Sequence, residues 1–298
     1  MYTQKLTIFT PAYNRAHTLP RTYQSLLDQS CKDFVWMIVD DGSSDGTAEL
    51  VKEWMKCDNG FPIEYIYKEN GGMHTAHNTA YEHITTELNT CIDSDDALAK
   101  DAAAVILRVW AEKGEGHPEI AGIVGLDADM STGKVIGTRF EDDRELTTIN
   151  GFYDRGGSGD KKLVYRTDVM KSLPPYPVFP PEKYVSLGYK YLLCDQTYQL
   201  IAINEVLCDV EYQPDGSSMN MLRQYKRNPN GWCFWRKQVM IYHGGFVRNC
   251  KECVHYVSSS IFAGKKRFIR ESPKPFLTLL AVPAGCLLNL YIRAKVKN

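Results

Sequence analysis

Four short apolar runs recur through the first hundred residues, separated by turn chemistry and helical stretches, and few folds accept that order. Leu6-Thr7-Ile8-Phe9-Thr10 is β-rich and ends at Pro11. Thr18 and Pro20 open a helical stretch through Leu26-Leu27. Phe34 to Val39 is apolar at every position, as a strand buried on both faces should be. It runs into Asp40-Asp41-Gly42-Ser43-Ser44-Asp45-Gly46, a turn that also caps a helix over Thr47–Lys56. Ile63–Tyr67 and Thr90–Ile92 read as the third and fourth strands, with a helix around Thr75–Thr86 between them. The alternation predicts an α/β fold: a mostly parallel, Rossmann-like sheet with right-handed crossovers and flanking helices. Ligands of such open sheets collect at the carboxyl ends of the strands.

Beyond residue 100, Ala102–Trp110 continues as helix and Ile120–Leu126 as strand. Glu141–Lys162 is polar and Gly-rich, an active-site rim or lid. Pro174-Pro175-Tyr176-Pro177 and Pro180-Pro181 form a rigid turn before Glu182. Hydrophobic residues make up 44% and charged residues 24% of the 298, which excludes disorder, collagen and coiled coil. Nine irregularly spaced Cys, and a Met1 that leads into Tyr2-Thr3-Gln4-Lys5 without an apolar stretch, point to reduced thiols in the cytosol.

The net charge of -1 hides a strong polarity. Residues 221–298 hold fifteen Lys/Arg against two acids, a net of +13. The other 220 residues hold twenty against thirty-four, a net of −14. The change marks a boundary near residue 220: a catalytic domain over 1–220, with halves 1–100 and 101–220, then a basic helical region over 221–298. The basic region faces either the acidic surface or something anionic, a phosphate-rich ligand or a membrane leaflet. No nucleic-acid-binding motif appears, so nucleic acid is not an expected partner.

The strongest chemical feature is Asp93-Ser94-Asp95-Asp96, directly after the fourth strand. Three carboxylates in four residues repel unless a cation or hydrogen-bond donors compensate. Alternation along an extended chain puts Asp93 and Asp95 on one side, within reach of one hard ion. Mg²⁺ and Mn²⁺ are commonly held by one or two carboxylates together with substrate phosphates. The simpler reading is an N-cap, with Asp95 or Asp96 capping the helix near Ala102. Asp40-Asp41 ends a different strand of the same sheet, where a carboxylate can accept from a nucleobase imide or a ribose hydroxyl. That turn, too, needs no ligand to explain it.

Thr10-Pro11-Ala12-Tyr13-Asn14-Arg15, Val39-Asp40-Asp41-Gly42-Ser43-Ser44-Asp45-Gly46-Thr47, Asn70-Gly71-Gly72 and Asp93-Ser94-Asp95-Asp96 follow one another in fixed order. Together they resemble the family 2 glycosyltransferases with the GT-A fold, over about the first hundred residues. The resemblance implies transfer of a sugar from a nucleoside diphosphate donor, a UDP-sugar first of all, with inversion at the anomeric carbon. It implies that Thr10, Pro11 and Tyr13 border the nucleobase and that Asp41 accepts from it. Asp93 and Asp95 would be the DxD pair for ribose and for Mg²⁺ or Mn²⁺, with Asp96 sharing the metal. Asn78 matches a position near the nucleotide. Met73 departs from the family, which often places Lys or Arg there; His74 or Arg15 is the expected substitute cation.

The second half resembles bacterial members that act on cell-surface polysaccharides, through Pro181–Val185, Val210–Ser218 and the basic run Arg223–Pro229. Inverting transfer needs a base on the face opposite the leaving diphosphate. Glu182 is the positional match for the family's base, although Lys183 stands where a second acid is usual; Asp195 is the alternative. Arg223, Lys226 and Arg227 are placed either to fold over the diphosphate or to lie on a helix surface.

Cys250-Lys251-Glu252-Cys253 lacks the second ligand pair of a zinc site and reads as an amphipathic helix with buried thiols. Trp232, Phe234 and Trp235 read as core. Phe276–Ile292 is uncharged over seventeen residues and has basic flanks. It is marginal for spanning, where about 20 residues are needed, and Pro283, Gly285 and Asn289 weaken it further. The expectation is peripheral attachment to an anionic membrane on its cytoplasmic face, where glycan or lipid-linked acceptors are found; the alternative is a helix packed on the catalytic domain. Rival readings are a nucleotidyltransferase and a catalytically degenerate sugar-nucleotide binder.

Overall fold

The computed structural model describes residues 3–211 and 220–296. The first half alternates β1 (Leu6–Ala12), α1 (Leu19–Leu27), β2 (Phe34–Asp40), α2 (Thr47–Trp54), β3 (Ile63–Tyr67), α3 (Met73–His83) and β4 (Leu88–Cys91). Then come β5 (Ala97–Leu98), α4 (Ala102–Lys113), β6 (Ile120–Asp129), β7 (Leu146–Thr147), α5 (Ile149–Asp154), β8 (Lys161–Arg166) and α6 (Thr167–Ser172). After α7 (Gly188–Cys194) and β9 (Gln199–Val210), the chain ends in helices α8 (Met221–Arg227), α9 (Pro229–Tyr242), α10 (Phe246–Phe262) and α11 (Pro275–Lys295).

One sheet runs β3-β2-β1-β4-β8-β6-β9-β5, with β7 paired to β9. Its first four strands are parallel, as the alternation predicts. The second half is mixed, because β8 inserts antiparallel between β4 and β6. β1 continues through Pro11 to Ala12, beyond the expected end. Its pairing with β4 stops at Phe9, whereas its pairing with β2 reaches Ala12, so proline's missing N–H falls where one neighbour has already left.

Phe34–Val39 are all buried, each burial worth roughly 1.5–3 kcal/mol for its large side chains. Trp36 anchors this face. It stacks with Tyr23 and Trp54, and its indole N–H donates to Thr10 Oγ1 at 3.0 Å.

The chain divides into two compact units, residues 1–174 with 197–212 and residues 175–196 with 213–298. The first holds the whole sheet. The second holds α7 to α11, so the stretch from Pro175 to Gln196, including Glu182 and Asp195, groups with the C-terminal helices and not with the residues before 175.

Within the second unit Trp232 and Cys253 are core, as expected, whereas Phe234, Trp235 and Cys250 are only half-buried. Trp232 stacks on Tyr184, Phe234 meets Tyr189 edge-on, and Cys253 is fully buried. Among the described residues no group of three His, Cys, Asp or Glu side chains is arranged to hold an ion.

Glu141–Lys162 is a packed excursion carrying β7 and α5. The buried Lys161 ammonium pins it by donating to the carbonyls of Ile136, Ser158, Gly159 and Asp160.

Candidate active site

The ends of β1 and β2 are laced together by side chains that bond backbone. Asn14, with φ 53°, accepts from Ser44 N through Oδ1 at 2.8 Å, and its own N–H donates to Ser43 Oγ at 2.9 Å. Arg15 N donates to Thr47 Oγ1 and Ala16 N to Asp45 Oδ2. This fixes the loop from which Tyr13, 48% exposed, projects at the carboxyl edge of the sheet. Thr10 and Pro11 are buried beneath it, and Thr10 is occupied with Trp36.

Asp40 and Asp41 are both buried. Asp40 accepts from Ser43 N and from the Tyr65 hydroxyl. Asp41 clamps the loop after β3: Oδ1 accepts from Lys68 Nζ at 2.6 Å and Gly71 N at 2.9 Å, and Oδ2 from Gly72 N at 2.7 Å. Asn70 Nδ2 adds a bond to the Asp41 carbonyl at 2.8 Å. Gly42, at φ 82°, makes the approach possible, because a Cβ there would lie 2.8 Å from Asn70 N.

His74 does not supply the missing cation. It is 1% exposed, no hydrogen bond reaches its ring nitrogens, and burial lowers its pKa to about 4 against the pull of Asp41. Lys68 stands there instead, a residue the sequence reading passed over although it directly follows a strand. Met73 is exposed, and Asn78 is half-buried on α3.

The acidic turn after β4 sorts its carboxylates. Asp93 is exposed, and Cys91 Sγ donates to its Oδ1 at 3.9 Å. Desolvation by the surrounding protein raises its pKa, as do Asp95 and Asp160, against Lys162 and Arg15. Asp95 is half-buried, and no hydrogen bond among the described residues reaches its carboxylate; Arg21 instead holds its backbone carbonyl at 3.2 Å. Asp96 turns inward, accepts from Glu211 N at 3.1 Å, and has its pKa pushed to about 7 by burial and by Asp93. None of these acids caps α4, whose N-cap is Asp101. The simpler N-cap reading therefore fails.

Beneath the turn lies a group that strand-by-strand reading missed, because β6 and β8 bring it together. Lys162 is 7% exposed and donates to Cys208 Sγ at 3.6 Å. Burial works against its charge, but Cys208, Asp127, Cys91 and Asp96 outweigh that and raise its pKa. Asp127 is 5% exposed, its Oδ1 has no hydrogen-bond partner among the described residues, and burial lifts its pKa to about 6.

In the second unit Glu182 caps α9. Its Oε1 accepts from Asn230 N and Nδ2 at 3.0 and 2.7 Å, and its Oε2 from Gly231 N at 2.9 Å. Asp195 ends α7. Arg223 and Arg227 lie exposed on α8, while Lys226 donates to the Val296 carbonyl at 2.9 Å. The turn Asp215–Ser218 lies outside the described residues.

Asp93, exposed, and Asp95, half-buried, are a carboxylate pair of the kind that could hold a hard cation sharing its shell with a ligand's phosphates and water. They fit Mg²⁺ or Mn²⁺ delivered with a diphosphate. Asp96 is spent on the protein.

The architecture is the GT-A fold. S. aureus TarS 1-349 in complex with UDP-GlcNAc superposes with a TM-score of 0.60 and 18% identity, over 98% of this chain and 88% of that one. The mannosyltransferase PcManGT of Pyrobaculum calidifontis, in complex with GDP-Man and Mn2+, gives 0.56 and 14%, over 98% and 89%. Residues 7–153, just under half of the chain, match Glycosyl transferase family 2.

Glycosyltransferase GlyA of Streptococcus pneumoniae is 34% identical over 108 residues, 36% of this chain and 15% of GlyA. TuaG of Bacillus subtilis, a glycosyltransferase whose name assigns it to teichuronic acid biosynthesis, is 35% identical over 108 residues, 36% of this chain and 42% of TuaG. The chain thus spans less than half the length of either relative.

Proposed function

We propose that the protein is an inverting, metal-dependent glycosyltransferase that moves a sugar from a nucleoside diphosphate to a hydroxyl of a cell-surface glycan or lipid-linked acceptor. The observation that carries this is the accessible Asp93–Asp95 pair after β4, in a turn where Arg21 donates to the Asp95 carbonyl and Thr22 to that of Asp96, while the Asp96 carboxylate is locked inward. A UDP-sugar is the proposed donor, in keeping with the UDP-GlcNAc bound to TarS. The reaction is placed in the cytoplasm, at the membrane face where such acceptors are presented.

Asp93 and Asp95 would hold Mg²⁺ or Mn²⁺, and the ion would supply positive charge against the departing diphosphate. Tyr13 offers its exposed ring to the base, Arg15 adds positive charge beside Asp93, and Asp41 with Lys68 holds the Gly71-Gly72 loop in place. Arg223 and Arg227 are proposed to balance the leaving group's charge.

Two carboxylates are proposed for the base, Glu182 and Asp195. Glu182 already accepts three hydrogen bonds, so taking a proton there means giving up part of a helix cap.

The test is release of UDP from UDP-sugars by the purified chain with Mn²⁺, beside thermal shifts with nucleoside diphosphates. A true donor nucleotide stabilises by RT ln(1 + [L]/Kd), and about 2.7 kcal/mol is expected at a hundredfold excess over Kd. Asp195→Asn should abolish transfer and keep nucleotide binding if Asp195 is the base; Glu182→Gln should do so if Glu182 is. A protein stabilised by no nucleoside diphosphate, with or without metal, would contradict the proposal. Pyrophosphate release from a nucleoside triphosphate and a sugar phosphate would reveal a nucleotidyltransferase instead.

A further inference from the structure

The outer face of α11 is more apolar than its inner face. Phe276, Leu279, Leu280, Leu287, Leu290 and Tyr291 are 51% to 71% exposed. At 3.6 residues per turn these positions, with Pro283, fall within a stripe about 120° wide.

The buried positions are Thr278, Ala281, Gly285, Asn289 and Ile292, and Leu277 and Val282 pack half-buried beside them. Thr278 Oγ1 donates to Cys253 Sγ at 3.4 Å, and Asn289 Nδ2 to the Ser258 carbonyl at 3.0 Å. Gly285 lies so close to α10 that a Cβ would be 2.5 Å from Val257. A water-facing helix puts its large apolar side chains inward. Small and polar residues against a neighbouring helix, with large apolar ones outward, is the arrangement of a helix whose free face meets lipid.

The charges agree. Between Gly264 and Val296 there are seven Lys/Arg and one acid, Glu271, which lies 3.6 Å from Lys237. Lys266, Arg267, Arg270 and Lys274 are exposed before the helix, and Arg293 and Lys295 at its end.

We infer that α11 is a membrane-docking helix, lying flat in the interface of an anionic bilayer with its Phe276–Tyr291 stripe among the acyl chains. The helix is long and apolar enough to cross a membrane, with mean hydropathy 1.7 over its most apolar eighteen residues. It does not cross, because α10 covers its inner face from Thr278 to Ile292. The α10 side includes buried Glu252, paired with Arg236 of α9 at 2.8 Å, a composition unsuited to lipid. Basic residues at both ends suit a helix parallel to the surface. The inference deepens the proposed reaction and rests on it only for the purpose of docking, delivery to a membrane-borne acceptor.

The experiment is flotation of the full chain with phosphatidylcholine vesicles, with and without phosphatidylglycerol. The wild type floats with the anionic vesicles, more weakly as salt rises. Leu280→Glu/Leu287→Glu loses about tenfold or more in vesicle affinity while its thermal unfolding is unchanged, since both positions are exposed. Leu290→Glu serves as an independent second variant.

A wild type that ignores anionic vesicles, or charged variants that bind as well as it does, would overturn the inference. So would a concentration-dependent dimer that the double variant dissolves without any vesicle binding, which would assign the stripe to a second copy of the chain. Thermal shift with UDP and Mn²⁺ reads the catalytic proposal on the same samples, so the two can fail separately.

Discussion

Asp41 and Asp93 look alike in the sequence, each an acid at the end of an apolar strand, yet the structure gives them opposite surroundings. Asp41 is saturated by Lys68, Asn70, Gly71 and Gly72, whereas Asp93 stands open. No single-strand pattern separates the two, because the donors that occupy Asp41 arrive thirty residues later. Asp127 is a third case, buried with a pKa near 6 instead of the ordinary 3.8. A folded-state pKa above the unfolded one means the native state binds the proton more tightly. The cost is therefore full above about pH 6, declines as pH falls, and is gone below about pH 4. Asp127→Asn should stabilise the protein by about 1–2 kcal/mol at pH 8 and by almost nothing at pH 4. Denaturant unfolding at the two pH values checks this. Glu182→Ala should cost about 1–2 kcal/mol in the same assay, through the lost cap of α9, whether or not Glu182 is also a base.

At the scale of elements, the strands best predicted were those with a mostly apolar run, although β2 ends in Asp40 and β3 contains Glu64. β1 to β4 follow from apolar runs, and their order gives the parallel half of the sheet. β8 was missed because Lys161-Lys162 puts two ammonium groups where a buried strand should be apolar, and only the neighbouring carbonyls, thiols and carboxylates make that tolerable. β9 was missed because Asn204-Glu205 interrupts its apolar pattern. The same limit hid the Lys162–Asp127 group, which exists only once β6 and β8 pair. The loops at the strand ends depend on close backbone approach. Gly42→Ala places a Cβ at φ 82° and 2.8 Å from Asn70 N, so it should destabilise by about 1–3 kcal/mol. It should also weaken nucleotide binding severalfold, read by thermal shift, because the Asp41 clamp loosens. α11 was half legible: its length and basic flanks are in the sequence. Only the structure shows that Gly285 and Asn289, which seemed to argue against lipid contact, belong to the face packed on α10.

For the whole molecule, the charge polarity now has an address. The acidic part of the chain contains the sheet and the acidic turn after β4. Much of the basic part is gathered around α11, where six exposed Lys/Arg flank an apolar stripe. The composition foretold that the two halves differ, but not that residues 175–196 would group with the C-terminal helices, since no charge step marks that crossing. The order of the four motifs was enough to point to the family that residues 7–153 match, because each motif sits at the carboxyl end of a parallel strand or in the loop beyond it. The proposed base was not legible in that way, as the two candidates, Glu182 and Asp195, both lie in the other unit. What most directly tests the account is calorimetric titration of Mn²⁺ into the protein with UDP, for the wild type and for Asp93→Ala/Asp95→Ala. The account predicts one metal bound per chain in the wild type and none in the variant, with folding intact; equal binding by the two proteins would contradict it.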